Sequence, residues 1–277
     1  PARSNLNDGR GRVAVRMNAF RLRRRCRRNH SALRRFTKRA NVFVGIKTVR
    51  RSTPVADSPK TRGRHVVILA HPDPGSFNAT IARAYCEAVR ECGQDVTIRD
   101  LYAMGFDPLL KNEERPDRGA IEIAPDVQAE LAALSGADVV VLVYPIWFGM
   151  PPAILKGYVD RVVGSGVTPL QVQHREAQGP LTAGHMLSIT TSGAPSEWLQ
   201  EQGQIQSLRE LATLYLFRAF AMHSTDYLHL GAITQGMAKD VMDGHLAEVR
   251  RTARKVCERL AVERYGALPP TSIYDGS

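Results

Sequence analysis

The segment RHVVILAHPDPGSFN, residues 64–78, limits the fold of this chain more than any other stretch. Its first half contains an unbroken apolar run at 66–70. Such a run is typical of a strand that is buried on both faces of a parallel sheet. Its second half holds two prolines and a glycine at 72–75, which end the strand in a turn.

A helix is predicted after this turn, from Ala79 to about Arg90, because apolar residues recur there at helical spacing. A strand, a polar turn and a helix N-terminus together form a place where α/β proteins hold an anion, since free backbone N–H groups point there. We therefore expect a cofactor phosphate at Ser76, Phe77 and Asn78.

The same alternation of strands and helices continues along the chain. Further strands are predicted at 94–100, 137–144, 185–190 and 225–230, and further helices at 125–134, 153–163, 204–222 and 237–262. The segments 101–110, 111–124 and 145–152 are predicted to be irregular or loops. Five strands interleaved with helices predict an α/β fold with an open, doubly wound, five-stranded parallel sheet, which we assign to a domain at 64–277.

The net charge of +11 comes from one end of the chain. Residues 1–64 hold 20 of the 38 Lys and Arg but two of the 27 acids, so the remainder carries 18 bases against 25 acids, a net charge of −7. Residues 1–63 are predicted to be a basic extension, disordered or loosely ordered. Alternatives are a translation start placed too far upstream, a targeting peptide, and an Arg-rich arm for nucleic acid or an anionic membrane.

The four cysteines are scattered, without C-x-x-C or metal-ligand spacing. Free thiols in a reducing compartment, hence a cytoplasmic location, are expected, and no metal site is predicted. The longest apolar run, 139–146, is far shorter than the roughly 20 residues that a membrane helix needs, so no transmembrane segment is expected.

Three turns follow the carboxyl ends of predicted strands, at 71–78, 145–152 and 190–195. Ligands of doubly wound sheets bind at that edge, where the winding reverses. Neither a dinucleotide fingerprint nor a P-loop is present, and His71 is the one possible cation of the first turn. The adjacent Trp147 and Phe148 are either core residues or the wall of a site for a flat heteroaromatic ring.

Four motifs carry a resemblance to a known family. They are HPDPGSFN at 71–78, DLYAMGFDPLL at 100–110, YPIWFGMPPAILKGYVDRV at 144–162 and SITTSGAP at 188–195. Together they resemble the quinone reductase family of flavodoxin-like proteins, over about residues 65–260. The resemblance implies a flavodoxin-like fold, a tightly bound flavin, NAD(P)H as the electron donor, and a homodimer with the flavin at the subunit boundary.

The resemblance also implies roles for particular residues. The flavin phosphate is assigned to His71, Ser76, Phe77 and Asn78. One border of the isoalloxazine ring is assigned to Pro145, Ile146, Trp147 and Phe148, and its other edge to Thr190, Thr191, Ser192 and Gly193. N–H donors in these loops would stabilise the negative charge of a reduced ring.

The chain departs from the family at four places. Trp198 and Gln204 stand where mammalian members place a Tyr and a His over the ring, and they are our candidate catalytic positions. Leu131 stands where the family often has a Gln near the flavin. No Arg follows shortly after 230–231, where FAD-binding members hold the adenylate, so FMN is favoured over FAD.

The expected function is two-electron transfer from NAD(P)H to a quinone or a similar flat acceptor by a ping-pong mechanism. The alternatives are an FMN-dependent azo- or nitroreductase, a cytosolic regulatory subunit of a potassium efflux system, and a nucleic-acid-associated protein acting through the Arg-rich arm. The preference for NADH or NADPH stays open at this point.

Overall fold

The structure is a computed structural model that describes residues 62–116, 122–174, 176–182 and 184–265. The predicted basic extension at 1–63, with its alternatives, lies outside the described residues except for its last two positions. Among the described helices, none combines the length and the apolar character needed to cross a membrane.

The described chain forms one five-stranded sheet in which every neighbouring pair of strands is parallel. The strands are β1 (Arg64–Leu69), β2 (Asp95–Asp100), β3 (Val139–Pro145), β4 (His185–Thr191) and β5 (Ser224–Leu230). Their order is β2-β1-β3-β4-β5, so the chain passes from β1 to one edge and returns on the other side of β1. The predicted doubly wound α/β fold is confirmed.

The helices cover both faces of the sheet. They are α1 (Phe77–Glu91), α2 (Pro125–Leu134), α3 (Ala153–Tyr158), α4 (Pro169–His174), α5 (Ser196–Glu201), α6 (Gln204–Leu208), α7 (Tyr215–Ala219) and α8 (Lys239–Tyr265). All seven residues of β3 are buried, and alternate residues enter two separate cores. One core packs against α1 and α8 and the other against α2, α3 and α7, which explains the unbroken apolar runs in the sequence.

Several predicted elements differ in detail from the structure. The helix predicted at 153–163 is α3 followed by a π-helical turn at Val159–Val163. The helix predicted at 204–222 consists of α6, a π-helical segment at Arg209–Leu214 and α7, and it ends at Ala219. The helices α4 and α5 were not predicted, because each is only six residues long.

The loop predicted at 111–124 contains a 3₁₀ turn, Asn112–Glu114, that supplies a buried carboxylate. The Glu114 carboxylate accepts hydrogen bonds from the guanidinium of Arg161, with Nη2 to Oε1 at 2.7 Å and Nε to Oε2 at 2.9 Å. Asp126 at the start of α2 accepts two more, at 2.7 and 3.0 Å. Arg161 is fully buried and also donates to the backbone oxygen of Asp107 at 2.5 Å.

This Arg161 cluster ties the π-helical turn after α3 to α2 and to the segment after β2. The guanidinium holds the pKa values of Glu114 and Asp126 below their usual range. Removing one partner of a buried ion pair leaves an uncompensated charge and costs about 3 to 5 kcal/mol. The cluster therefore fixes α3, whose N-terminus follows the loop at 145–152.

A close approach of backbone to backbone requires glycine in α3. A Cβ atom at Gly157 would lie 2.2 Å from the backbone oxygen of Pro108 and 2.4 Å from its Cα. Neither of these atoms belongs to a flexible side chain, so a side chain at 157 forces α3 away from the segment after β2.

Gly157→Ala is expected to lower the free energy of unfolding by at least about 2 kcal/mol, because it overpacks this contact. The matched control is Gly244→Ala in α8, where an added Cβ meets nothing within 4 Å. That substitution is expected to raise the stability by about 0.5 to 1 kcal/mol, since alanine favours a helix. Urea denaturation measures both, and equal effects would contradict the close approach.

A buried histidine makes the stability depend on pH. His65 lies in β1 with Nδ1 2.9 Å from the hydroxyl of Tyr85 and Nε2 2.8 Å from Oε1 of Gln94. Burial lowers its pKa from 6.5 to about 4. The unfolded chain therefore binds a proton at His65 at a higher pH than the folded chain does.

The free energy of unfolding is expected to fall as the pH is lowered from 6.5 to about 4, and His65 accounts for about 3 kcal/mol of this loss. Burial also lowers the pKa of His185 and of His229, so a variant is needed to isolate His65. His65→Gln should flatten the profile in this interval, whereas His174→Gln on the exposed end of α4 should leave it unchanged. An unaltered profile in the first variant would refute the assignment.

Candidate functional site

The three turns considered above lie side by side, because β1, β3 and β4 are neighbours in the sheet. Backbone hydrogen bonds extend the pairing past the strand ends, from Ala70 N to Val143 O at 3.0 Å and from Ile146 N to Thr191 O at 2.7 Å. The predicted convergence at the point where the winding reverses is therefore seen in the structure.

The turn after β1 is folded by Asp73. Its carboxylate accepts from the N–H of Gly75 at 2.8 Å, and its backbone oxygen accepts from Ser76 at 3.1 Å. Ser76 caps α1, with Oγ accepting from Ala79 N at 3.2 Å. Within the described residues, the N–H groups of Phe77 and Asn78 have no protein acceptor. They are the donors left for an anion at this helix N-terminus.

His71 also faces this turn. Its Nδ1 accepts from the backbone N–H of Asp73 at 3.0 Å, which places the ring proton on Nε2 in this tautomer. The imidazole lies edge-on to the indole of Trp147, with 5.7 Å between the ring centroids. The contact joins the first turn to the second.

The turn after β3 is a strained, tight reversal. Trp147 and Met150 exchange two backbone hydrogen bonds of 3.0 Å each, and Phe148 and Gly149 between them have φ angles of 51° and 76°. A positive φ at a bulky residue is costly and is found mostly at functional sites. The backbone N–H groups of Phe148 and Gly149 have no acceptor within the described chain.

The aromatic residues of this turn are not core residues. The side chain of Phe148 is fully exposed and that of Trp147 is 40% exposed. Of the two interpretations of this pair, core packing does not agree with this exposure, and a wall of a site stays a prediction.

The hydroxyl side chains after β4 point into the protein. Thr191 and Asn78 are both buried and bond to each other, with Nδ2 to Oγ1 at 3.0 Å. Ser192 Oγ donates to the backbone oxygen of Ala194 at 2.7 Å. What this turn leaves for a ligand is the backbone N–H of Gly193, which has no acceptor within the described residues.

Two residues of β5, Tyr227 and His229, also lie here, although the sequence pattern did not predict them as part of the site. Thr190 Oγ1 lies 3.0 Å from the hydroxyl of Tyr227 and 2.9 Å from Nδ1 of His229. Nε2 of His229 lies 3.0 Å from Oγ of Ser192. Burial lowers the pKa of His229, so the imidazole is neutral near pH 7. Tyr227 and His229 are two residues apart near the end of a predicted strand, so they lie on the same face of the sheet, and this spacing could have indicated their place at the site.

The two candidate catalytic residues lie farther along the chain. Trp198 is on α5 and 48% exposed, and Gln204 is the exposed first residue of α6. Within the described residues neither side chain bonds to the three turns, so their catalytic role stays a prediction. Leu131 of α2 packs partly buried against the hydrophobic core.

Comparison with known proteins agrees with this fold. A family model described as flavodoxin-like fold matches residues 63–255. An uncharacterized NAD(P)H oxidoreductase of Haemophilus influenzae is 34% identical over 170 residues, which are 61% of this chain and 84% of the relative. The NAD(P)H dehydrogenase (quinone) 1 of Rattus norvegicus is 34% identical over 152 residues, 48% of this chain and 55% of that one. The chain thus spans about half the length of this second relative.

A solved structure has the same fold. The NAD(P)H:quinone oxidoreductase from Methanothermobacter marburgensis superimposes with a TM-score of 0.60 at 24% identity, over 70% of this chain and 96% of that chain. At this identity the likeness concerns the fold alone.

The Asn78–Thr191 pair should be coupled energetically, because it joins α1 to β4 in a buried position. Asn78→Ala and Thr191→Val are each expected to cost about 1 to 3 kcal/mol of stability. The double variant should cost less than the sum, by about 1 kcal/mol, in a denaturation cycle. Strict additivity would show that the two side chains act independently.

Proposed function

The chain belongs to the family with the flavodoxin-like fold, and we propose that it is a flavin-dependent NAD(P)H oxidoreductase. The proposed acceptor is a quinone or a similar flat molecule. One observation carries the proposal. At the carboxyl ends of β1 and β3, open N–H donors at the start of α1 lie beside an exposed aromatic turn.

The residues present fit a flavin phosphate at the first turn. The N–H groups of Phe77 and Asn78 and the Nε2–H of His71 are donors, held by the Ser76 cap and by the Asp73 turn. The positive end of the α1 dipole adds to their attraction for an anion. The Asn78 side chain itself is bound to Thr191, so Asn78 would act through its backbone.

The residues also fit a flat ring at the second and third turns. A bound flavin would supply the two-electron chemistry. Trp147 and Phe148 provide an aromatic wall, and the N–H groups of 148, 149 and 193 provide donors toward developing negative charge. Tyr227 and His229 act as positioning residues, because their bonds to Thr190 and Ser192 hold the third turn in place.

The finer assignments belong to the same proposal. FMN is favoured because no Arg stands shortly after Gly231 to hold an adenylate. The side chains of Phe148, Leu211 and Tyr215 are more than half exposed, which supports a homodimer that covers them. Donor and acceptor would stack on the same aromatic wall in turn, which is a ping-pong order. Free thiols at Cys86, Cys92 and Cys257 support a reducing, cytoplasmic location.

The phosphate contact can be tested by removing a single N–H group. Phe77→Pro deletes the donor but spares α1, because proline is well tolerated at the first helical position and Ser76 already has the extended backbone, φ −63° and ψ 159°, that precedes proline. Phe77→Ala is the matched control, since it loses the same ring and keeps the N–H.

FMN is expected to bind the Phe77→Pro variant at least about tenfold more weakly than the Phe77→Ala variant, as judged by quenching of flavin fluorescence. Riboflavin, which lacks the phosphate, should bind the two variants equally. Failure of the unsubstituted protein to bind either FMN or FAD would overturn the proposed function.

A further inference from the structure

A second cluster of polar residues lies at the amino-terminal ends of β4 and β5, at the opposite end of the strands from the three turns. His185 is the first residue of β4, His223 directly precedes β5, and Glu263 lies near the end of α8. Since β4 runs seven residues to Thr191, this cluster is about 20 Å from the proposed flavin edge. No step of the proposed function uses it.

The three side chains converge on one point. Nε2 of His185 lies 2.8 Å from Oε2 of Glu263, and Nε2 of His223 lies 3.5 Å from Oε1 of the same carboxylate. All three candidate ligand atoms lie within 4.8 Å of one another. We propose that His185, His223 and Glu263 bind a divalent transition-metal ion, of which Zn²⁺ is the best match.

The donor set is the reason for preferring zinc. Two imidazole nitrogens and one carboxylate oxygen leave a fourth, open position on a tetrahedral Zn²⁺. With bonds of about 2.0 to 2.1 Å, neighbouring donors of such a site are about 3.3 Å apart. The three ligand atoms already lie within 4.8 Å of one another, and both oxygens of the carboxylate are in reach of an imidazole, so side-chain rotations have to bring the donors closer by at most about 1.5 Å.

Ser224 orients the buried histidine. Its Oγ lies 2.7 Å from Nδ1 of His185 and also accepts from Nη1 of Arg259 at 2.9 Å. A hydroxyl oxygen has two lone pairs, so it can accept from both groups. In the metal-free protein the ring proton is on Nε2, which donates to Glu263, and a shift of this proton to Nδ1 would free the lone pair of Nε2 for a metal ion. Metal binding would then move the ring proton from Nε2 to Nδ1, with no net loss of a proton.

The surroundings favour a cation and allow it to enter. The cluster opens into a cavity of about 270 Å³ that is also lined by Asp138 and Arg264. Nη2 of Arg264 pairs with Asp138 at 2.6 Å, and Nη1 of Arg259 pairs with Asp226 at 2.7 Å, so each of these guanidinium groups has a carboxylate partner other than Glu263. The His223 side chain is 61% exposed, so solvent reaches the open coordination position.

Zinc binding should join β4, β5 and α8 and so stabilise the fold. The test uses the full chain, freed of metal by a chelator and titrated with Zn²⁺ by calorimetry and thermal unfolding. One site is expected, and free Zn²⁺ at a hundred times Kd should raise Tm by about 5 to 10 °C. His223→Asn and Glu263→Gln should each weaken binding more than tenfold, and Ser224→Ala about tenfold.

Two controls separate this site from surface binding. His174→Asn removes an exposed histidine of α4, and Cys92→Ser removes the exposed thiol among the described cysteines. Both should keep the affinity of the unsubstituted chain. The proposal would be overturned if Zn²⁺ did not shift the Tm of the unsubstituted chain. It would also be overturned if Zn²⁺ raised the Tm of His223→Asn and Glu263→Gln as much as that of the unsubstituted chain. The titration needs no flavin, so its outcome is independent of the proposed function.

Discussion

The parallel pairing of β1 with both β2 and β3 is the constraint on which the rest of the structure depends. Because β2 occupies one side of β1, the chain has to cross back to place β3 on the other side. The crossovers put α1 on one face of the sheet and α2 on the other. The N-terminus of α1 and the turn after β3 are thereby left next to each other, with no strand end between them. The edge contact of His71 with Trp147 is a direct consequence of this topology.

The Arg161 cluster stabilises the loops at the carboxyl ends of the strands without lining them. Its guanidinium is fully buried and binds two carboxylates and a backbone oxygen from three different segments. The close approach of Gly157 to Pro108 occurs in the same region. A charged network and a glycine contact together position α3, and α3 follows directly from the strained turn at Phe148. The geometry of the candidate site thus depends on residues that line none of its turns.

The sequence predicted the sheet and the convergence of the turns because both follow from local patterns: buried runs, turn residues and helical spacing. It did not predict Glu114, since a polar stretch gives no sign that a distant arginine will bury one of its carboxylates. For the same reason it did not predict the hydrogen-bond partners of the Thr191 and Ser192 hydroxyls, Asn78 and the backbone at Ala194, which are set by tertiary packing. His185, His223 and Glu263 are separated by dozens of residues, so only the fold brings them together.

The central claim is that the edge of the sheet at β1 and β3 holds a redox-active flavin, and an anaerobic absorption spectrum tests it most directly. The protein reconstituted with FMN should show a flavin spectrum that NADH or NADPH bleaches and that an added quinone restores in full. A protein that binds no flavin, or whose bound flavin stays oxidised with both nicotinamides, would contradict the account.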